Sequence, residues 1–274
     1  VIRTLAGLQK PLAGNISITS GQQNDHVSKQ ISVVLTDKIP AVNMTAYEVI
    51  AFGRYPYLEW NIRLRESDNQ IIDRAIAQVH IEHLVDQKLH ELSDGQLQMV
   101  MIARALAQET PIILLDEPTA HLDLNNRVEV MKLLRHLAQT TNKAILVASH
   151  ELDLALQLAD FIWLTDRDKT ILTGIPEDLV LNGAFDRIFE FKGFDLKTGK
   201  VLHEAYTGKT VQLLGAGPEF LWTKNALERT GFEVRADACA ISISIIREDN
   251  RLAWLIRKSG SETVVNSLRE LINI

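Results

Sequence analysis

The chain has 274 residues, enough for one full domain and a small second one, and its 46% hydrophobic and 23% charged content excludes a disordered or collagen-like polypeptide. The formal net charge of −6 excludes the basic, clustered footprint that nucleic-acid binding requires. A lone cysteine, Cys239, excludes an internal disulfide and fits a reducing compartment, and no apolar run approaches the ~20 residues of a spanning helix, so contact with a membrane is expected through a partner.

Val1, Ile2, Leu5 and Leu8 share one helical face with no capping residue ahead of them, which suggests a chain that has lost its beginning. Gly7, Pro11 and Gly14 end that helix, and residues 15–19 alternate as a short strand. Residues 31–35 form an apolar strand. Residues 67–83 read as a helix, with Ser67 and Gln70 as a capping box and Ile71, Ile72, Ala75, Ile76 and Val79 as the buried stripe. A second capping box, Ser93 with Gln96, opens a helix through Val100, Ala103 and Leu106. The apolar strand 112–115 follows and ends at Asp116. Then come a helix over roughly 126–140 and a strand over 144–148 that stops at Ser149-His150. A helix over 152–159 leads to strands 161–165 and 170–173, joined by the turn 166–169. Short apolar strands alternating with amphipathic helices predict an α/β domain with a mainly parallel sheet.

After about Gly199 the rhythm restarts. Strands 211–214 and 232–235 flank a helix over 219–229, strands 240–246 and 252–256 pair across residues 248–250, and residues 261–271 read as a closing helix. This is a compact α+β unit of roughly 70 residues, above the size where independent folding fails.

The strongest chemical signal is Ile112-Ile113-Leu114-Leu115-Asp116-Glu117-Pro118. A buried strand delivers two adjacent carboxylates at its C-terminal end, where open α/β sheets bind ligands. The first acid can hold Mg²⁺, and the second can orient or deprotonate an attacking water. The same run also reads as a strand that ends in a polar turn. Upstream, Leu92-Ser93-Asp94-Gly95-Gln96 places a hydroxyl, a glycine and free helix N–H groups together, which makes either an anion site or an ordinary capping box. Downstream, His150 follows the neighbouring strand, as a structural histidine or as a donor to a phosphate.

In this order the motifs resemble the ABC ATPase family, over most of residues 1–195. Residues 92–96 resemble its signature motif, with Asp94 where the family has a second glycine, and residues 112–118 resemble its Walker B strand. Ala120-His121-Leu122-Asp123 resembles the D-loop, and His150 the switch histidine. The resemblance implies that Asp116 lies on the Mg²⁺ side, Glu117 is the catalytic base and His150 touches the γ-phosphate. It also implies that Ser93, Gly95 and Gln96 hold the partner's nucleotide and that Asp123 couples the two sites. Residues 48–57, Glu-Val-Ile-Ala-Phe-Gly-Arg-Tyr-Pro-Tyr, are similar to the start of the helical region in importers of iron-siderophores, haem and cobalamin.

The chain departs from this pattern twice. It has no Gly-rich run ending in Gly-Lys-Ser/Thr, the loop that cradles phosphates. Residues 1–8 resemble the stretch immediately after that loop, so the domain is expected to be N-terminally truncated, and the chain by itself inactive. Gly215-Ala216-Gly217-Pro218 lacks the lysine and reads as a turn. Thr36, Asp37 and Lys38 stand where the family places a glutamine that touches Mg²⁺, and Asp37 would fill part of that role while adding a charge.

The expected fold is therefore a P-loop NTPase-like ABC ATPase domain over residues 1–200, with a helical subdomain over about 45–105. A small α+β accessory domain follows over 203–274, as a regulatory or dimerisation module. The resemblance implies a subunit that binds ATP and Mg²⁺, pairs head to tail as a homodimer, and serves two membrane-spanning permease subunits at the cytoplasmic face. A periplasmic-type substrate-binding protein would act indirectly, and hydrolysis would drive uptake of an iron-siderophore, haem or cobalamin. The alternatives are a naturally short, inactive regulatory partner of a complete subunit and a soluble ABC protein acting on DNA or ribosomes. The intact acids and histidine weigh against the first, and the acidic balance without long heptads against the second.

Overall fold

The computed structural model describes residues 1–18, 26–36, 43–60, 62–165, 170–189, 194–196, 200–201, 205, 207–248, 251–258 and 260–273. It divides into two compact units, the first ending at Leu179 and the second beginning at Val180.

The first unit opens with the short helices α1 (Ile2–Leu5) and α2 (Val27–Gln30) and the strand β1 (Ile31–Val34). Helix α3 (Ala46–Ala51) continues into a 3₁₀ turn over Phe52–Tyr57, followed by α4 (Glu66–Gln78) and α5 (Asp94–Ala107). Next come β2 (Ile112–Asp116), α6 (Leu124–Thr140), β3 (Ala144–Ala148) and α7 (Leu152–Leu158). The strands β4 (Ile162–Thr165) and β5 (Ile171–Gly174) form a separate antiparallel pair, and α8 (Pro176–Leu181) follows.

Strands β1, β2 and β3 make a parallel sheet in that order, with Leu114 opposite Val33 on one side and Leu146 on the other. The near-continuous apolar composition of β2 is explained by cover on both faces. Ile113 and Leu115 enter the main core, while Leu114 and Ile112 turn to a second cluster with Ile2, Ala6 and Ile31. The mainly parallel sheet expected from sequence is thus present.

Three local expectations are corrected. Residues 15–18 form no strand; three of them are exposed and none has a ladder partner, and Thr19 lies outside the described residues. The first helix stops at Leu5, because Gly7 turns left-handed at φ +74°, and Leu8 is exposed rather than part of the apolar face. Helix α4 starts at Glu66 rather than Ser67 and stops at Gln78; its N-terminus is closed by the Asp68 carboxylate, which accepts the Arg65 backbone N–H at 2.9 Å. The turn 166–169 and the residues Asp37 and Lys38 lie outside the described residues.

Helices α3 and α4 pack on α5, which buries Val100, Met101, Ile102, Ala103, Ala105, Leu106 and Ala107. The C-terminal end of α5 is closed by the Phe52–Tyr57 turn. A Cβ on Gly53 would lie 2.4 Å from the Arg104 carbonyl oxygen and 2.9 Å from Ala107 Cβ, so only glycine permits this approach. Arg54, 5% exposed, donates to the Ala107 carbonyl at 2.9 Å and to Asp68 Oδ1 at 2.9 Å, and the Tyr57 hydroxyl donates to the Gln108 carbonyl at 2.9 Å. These bonds satisfy carbonyls that a helix end leaves without partners.

The second unit contains α9 (Ala184–Phe189), the two-residue strands β6 (Phe194–Asp195) and β7 (Lys200–Val201), and β8 (Thr210–Leu214). Then come α10 (Gly217–Arg229), β9 (Glu233–Arg235), β10 (Ile241–Glu248), β11 (Arg251–Lys258), β12 (Ser261–Val265) and α11 (Leu268–Leu271). The closing helix expected over 261–271 is corrected: its first part, Ser-Glu-Thr-Val-Val, is rich in β-branched residues and pairs with β11, leaving only the four-residue α11. The sheet order is β12-β11-β10-β8-β9. Its core is Val211, Leu213, Leu227, Ile243, Trp254, Ile256 and Leu271.

Two stability measurements follow. Gly53→Ala should lower the urea midpoint by the equivalent of about 1–3 kcal/mol, the cost of overpacking; an unchanged midpoint would contradict the close approach to α5. Burial pushes the Asp68 carboxyl up, but the Arg65 N–H and the Arg54 guanidinium outweigh it and hold it below its ordinary range. Its stabilisation is therefore complete above its unfolded value of about 4 and is lost as pH falls through the lowered folded value. Asp68→Asn should cost about 3–5 kcal/mol at neutral pH and flatten the acid limb of stability against pH.

Candidate functional site

Strand β2 carries Asp116 to the C-terminal edge of the sheet, opposite Ala148 of β3. The chain then turns sharply. Glu117 takes a left-handed backbone at φ +48°, its N–H donates to the Ala148 carbonyl at 2.8 Å, and the Ala120 N–H donates back to the Glu117 carbonyl at 3.0 Å. A non-glycine residue in this region costs roughly 1–3 kcal/mol and persists where its surroundings fix it. Here the anchor is the neighbouring strand. Its next residues bring His150 Nε2 within 2.7 Å of Glu117 Oε1. His150 is largely exposed and Glu117 about one-third exposed, so the pair faces solvent.

The Thr36 hydroxyl, at the end of β1, donates to the Asp116 carbonyl at 2.8 Å. Thr36 therefore occupies the loop position through a backbone bond and leaves the Asp116 carboxylate free of it. The Asp37 part of that reading falls outside the described residues.

A second cluster lies at two helix N-termini. The Ser93 hydroxyl accepts the Gln96 N–H at 3.3 Å, and the Gln96 side chain accepts the Ser93 N–H at 2.9 Å, which completes the expected capping box of α5. Asp123 caps α6 by accepting the Asn126 backbone N–H at 2.9 Å and its side-chain amide at 3.0 Å. The two caps adjoin, because a Cβ on Gly95 would stand 3.2 Å from the Asn126 side chain. Ser93, Gly95, Gln96 and Asp123 thus form one group, and Asp116, Glu117 and His150 the other.

Arg127 ties the groups together and was not singled out from sequence. Its Nε donates to the Leu122 carbonyl at 2.7 Å, and its Nη1 meets Glu151 Oε1 at 2.8 Å. The loop that carries Asp123 is thereby clamped to the residue after His150. Glu151 is 24 positions away in sequence, so no local spacing reveals the pair.

Among the described residues no three His, Cys, Asp or Glu side chains converge as a metal cluster. Asp116 can supply one carboxylate to Mg²⁺, whose habit is to complete its octahedron with water and substrate phosphates, so the donor set fits that ion. No helix among the described residues is long and apolar enough to cross a membrane.

An ABC transporter family model matches residues 1–120, and a model for an iron ABC transporter C-terminal domain matches residues 208–274. The chain is 37% identical to an ABC transporter ATP-binding protein of Methanocaldococcus jannaschii, over 70% of this chain and 68% of that one. It is 33% identical to the petrobactin import ATP-binding protein FpuD of Bacillus anthracis, over 66% and 67%, and 31% identical to the ferric enterobactin transport ATP-binding protein FepC of Escherichia coli, over 69% and 71%. Among solved structures, this chain resembles a metal-chelate type ABC transporter in an inward-facing conformation, with a TM-score of 0.61 at 25% identity over 69% of this chain and 71% of that one. It also resembles CbiO1 of Clostridium perfringens, part of the transporter complex CbiONQ, with a TM-score of 0.57 at 28% identity over 68% and 75%. With a relative 37% identical over more than two thirds of both chains, the chain belongs to the ATP-binding proteins of ABC transporters.

Proposed function

We propose that this chain is the ATP-hydrolysing subunit of an importer for a metal chelate, either an iron-siderophore, haem or a cobalamin. The observation that carries the reading is the 2.7 Å contact between His150 and Glu117 at the end of β2, with Asp116 beside it. The matched C-terminal iron-transport model and the siderophore-import relatives support the substrate class, and a cobalamin-import relative, 30% identical over 73% of this chain, keeps cobalamin within it.

Glu117 is the base that accepts a proton from the attacking water, because its carboxylate is accessible and aimed by a fixed turn. His150 orients Glu117 and donates to the γ-phosphate. Asp116 would hold Mg²⁺, which would supply charge neutralisation on the phosphates. Ser93, Gly95 and Gln96 present the N-terminus of α5 to the nucleotide of a second, head-to-tail subunit, where free N–H groups and the helix dipole favour a phosphate. Asp123 and the Arg127 clamp link the two sites. Residues 1–200 form the ATPase domain, with the helical subdomain over 45–105 and the accessory module over 203–274. The subunit works at the cytoplasmic face on two permease subunits, which receive substrate from a binding protein outside.

In the assembled importer, with a Gly-rich, Lys-containing phosphate loop supplied ahead of Val1, Glu117→Gln should cut ATP hydrolysis by about 10²–10⁴-fold while nucleotide still binds. Hydrolysis at the wild-type rate would sink the assignment, and uptake assays with labelled ferric siderophore, haem and cobalamin would separate the three substrates. Asp123→Ala should cost about 0.5–2 kcal/mol in thermal stability, whereas Asp123→Asn, whose amide oxygen still caps α6, should stay close to wild type. Equal losses in both variants would show that charge rather than the cap fixes this terminus.

A further inference from the structure

Helix α10 is held to its sheet by one line of side chains. Thr223 and Leu227 are buried, the Trp254 indole N–H donates to Thr223 Oγ1 at 2.8 Å, and that hydroxyl donates to the Glu219 carbonyl at 2.7 Å. The adjacent line, Trp222, Ala226 and Arg229, is thereby turned outward at i, i+4 and i+7. It faces Leu268, Arg269 and Ile272 at the C-terminal end of the chain, and the two sets line a groove of about 430 Å³.

The groove's composition is unlike that of a solvated helix face. Trp222 is 67% exposed, a large apolar ring left in water. Among the described residues, neither the Arg229 nor the Arg269 guanidinium meets a carboxylate, although the chain as a whole is acidic. The neighbouring acids are engaged elsewhere: Glu228 Oε1 lies 3.5 Å from Lys224 Nζ, and Glu270 Oε2 accepts the Asn266 N–H at 3.1 Å. Guanidinium groups pair with carboxylate or phosphate in a planar fork, and an indole face stacks on planar rings.

We propose that this groove is a binding site for a small planar anion, an aromatic ring bearing a carboxylate or a phosphate, stacked on Trp222 and held by Arg229 and Arg269. The site lies wholly in the second unit and does not rest on the ATPase reading. Bound there, the ligand would bridge α10 and α11 and give the unit a sensing role.

The test uses the 274-residue chain, ¹⁵N-labelled at tryptophan, with salicylate and adenosine monophosphate as the two anionic probes. The indole resonance of Trp222, assigned by its loss in Trp222→Phe, should shift saturably with one or both anions, while those of Trp60, Trp163 and Trp254 stay fixed. A response to salicylate alone identifies a carboxylate ligand, and one to the nucleotide identifies a phosphate ligand. The double variant Arg229→Gln/Arg269→Gln, with its other indole resonances unmoved, should bind about tenfold more weakly or worse. Salicylamide and adenosine, which lack the charge, should not bind. Equal binding by the uncharged analogues would overturn the proposal, as would no shift with either anion. Broadening of the Trp222 resonance with protein concentration alone would place a second copy of the chain on this face and would also overturn it.

Discussion

Strand β2 is hydrogen-bonded along both edges and covered on both faces, and this confinement governs the first unit. Ile113 and Leu115 fill one core while Leu114 fills another, so a shift of one residue would exchange the two sets. The register is therefore fixed, and Asp116 and Glu117 emerge at one defined place. The left-handed turn at Glu117 is tolerable because the Ala148 carbonyl, fixed by the same register, accepts its N–H. Any loosening of β2 would first move the carboxylates relative to His150.

Helix α5 extends this order into the helical layer. Its N-terminus adjoins the cap of α6, its middle is buried against α3 and α4, and its C-terminal carbonyls are closed by Arg54 and Tyr57. The Arg104 side chain donates to the Val33 carbonyl at 3.0 Å, which joins α5 to β1. Burial disfavours the charged guanidinium there and lowers its pKa, so the bond is maintained against a desolvation cost. One helix thus reaches from the adjoining caps of α5 and α6 to the strand that precedes Thr36. The run Phe-Gly-Arg-Tyr-Pro-Tyr gains a physical meaning from this: the glycine admits the turn and the arginine closes the helix.

The second unit is built on other principles. Its sheet mixes parallel pairing around β8 with antiparallel pairing at β10, β11 and β12. Strands β9 and β10 flank β8, so residues 236–240 must pass across it, and the Gln212 amide ties that crossing down by donating to the Ala236 carbonyl at 3.0 Å. Its phosphate-loop look-alike, Gly215 to Pro218, is a structural turn: Gly215 and Gly217 take positive φ, and Ile245 lies where a side chain on Gly215 would stand.

Sequence by itself determined the strong elements and the chemistry they deliver. The apolar runs of β1, β2 and β3, the Ser93–Gln96 capping box and the Asp116-Glu117 pair are local patterns whose spacing dictates their form, and they identify the family. It misread segments where local pattern competes with pairing: residues 261–265 carry helical spacing, yet the free edge of β11 claims them as a strand. Tertiary structure alone decided that Glu117 touches His150, that Arg127 bridges Leu122 and Glu151, that Arg54 closes α5, and that Trp222 and Arg229 line one groove with Arg269. Each joins residues that are distant along the chain, and only sheet register and helix packing fix such distances.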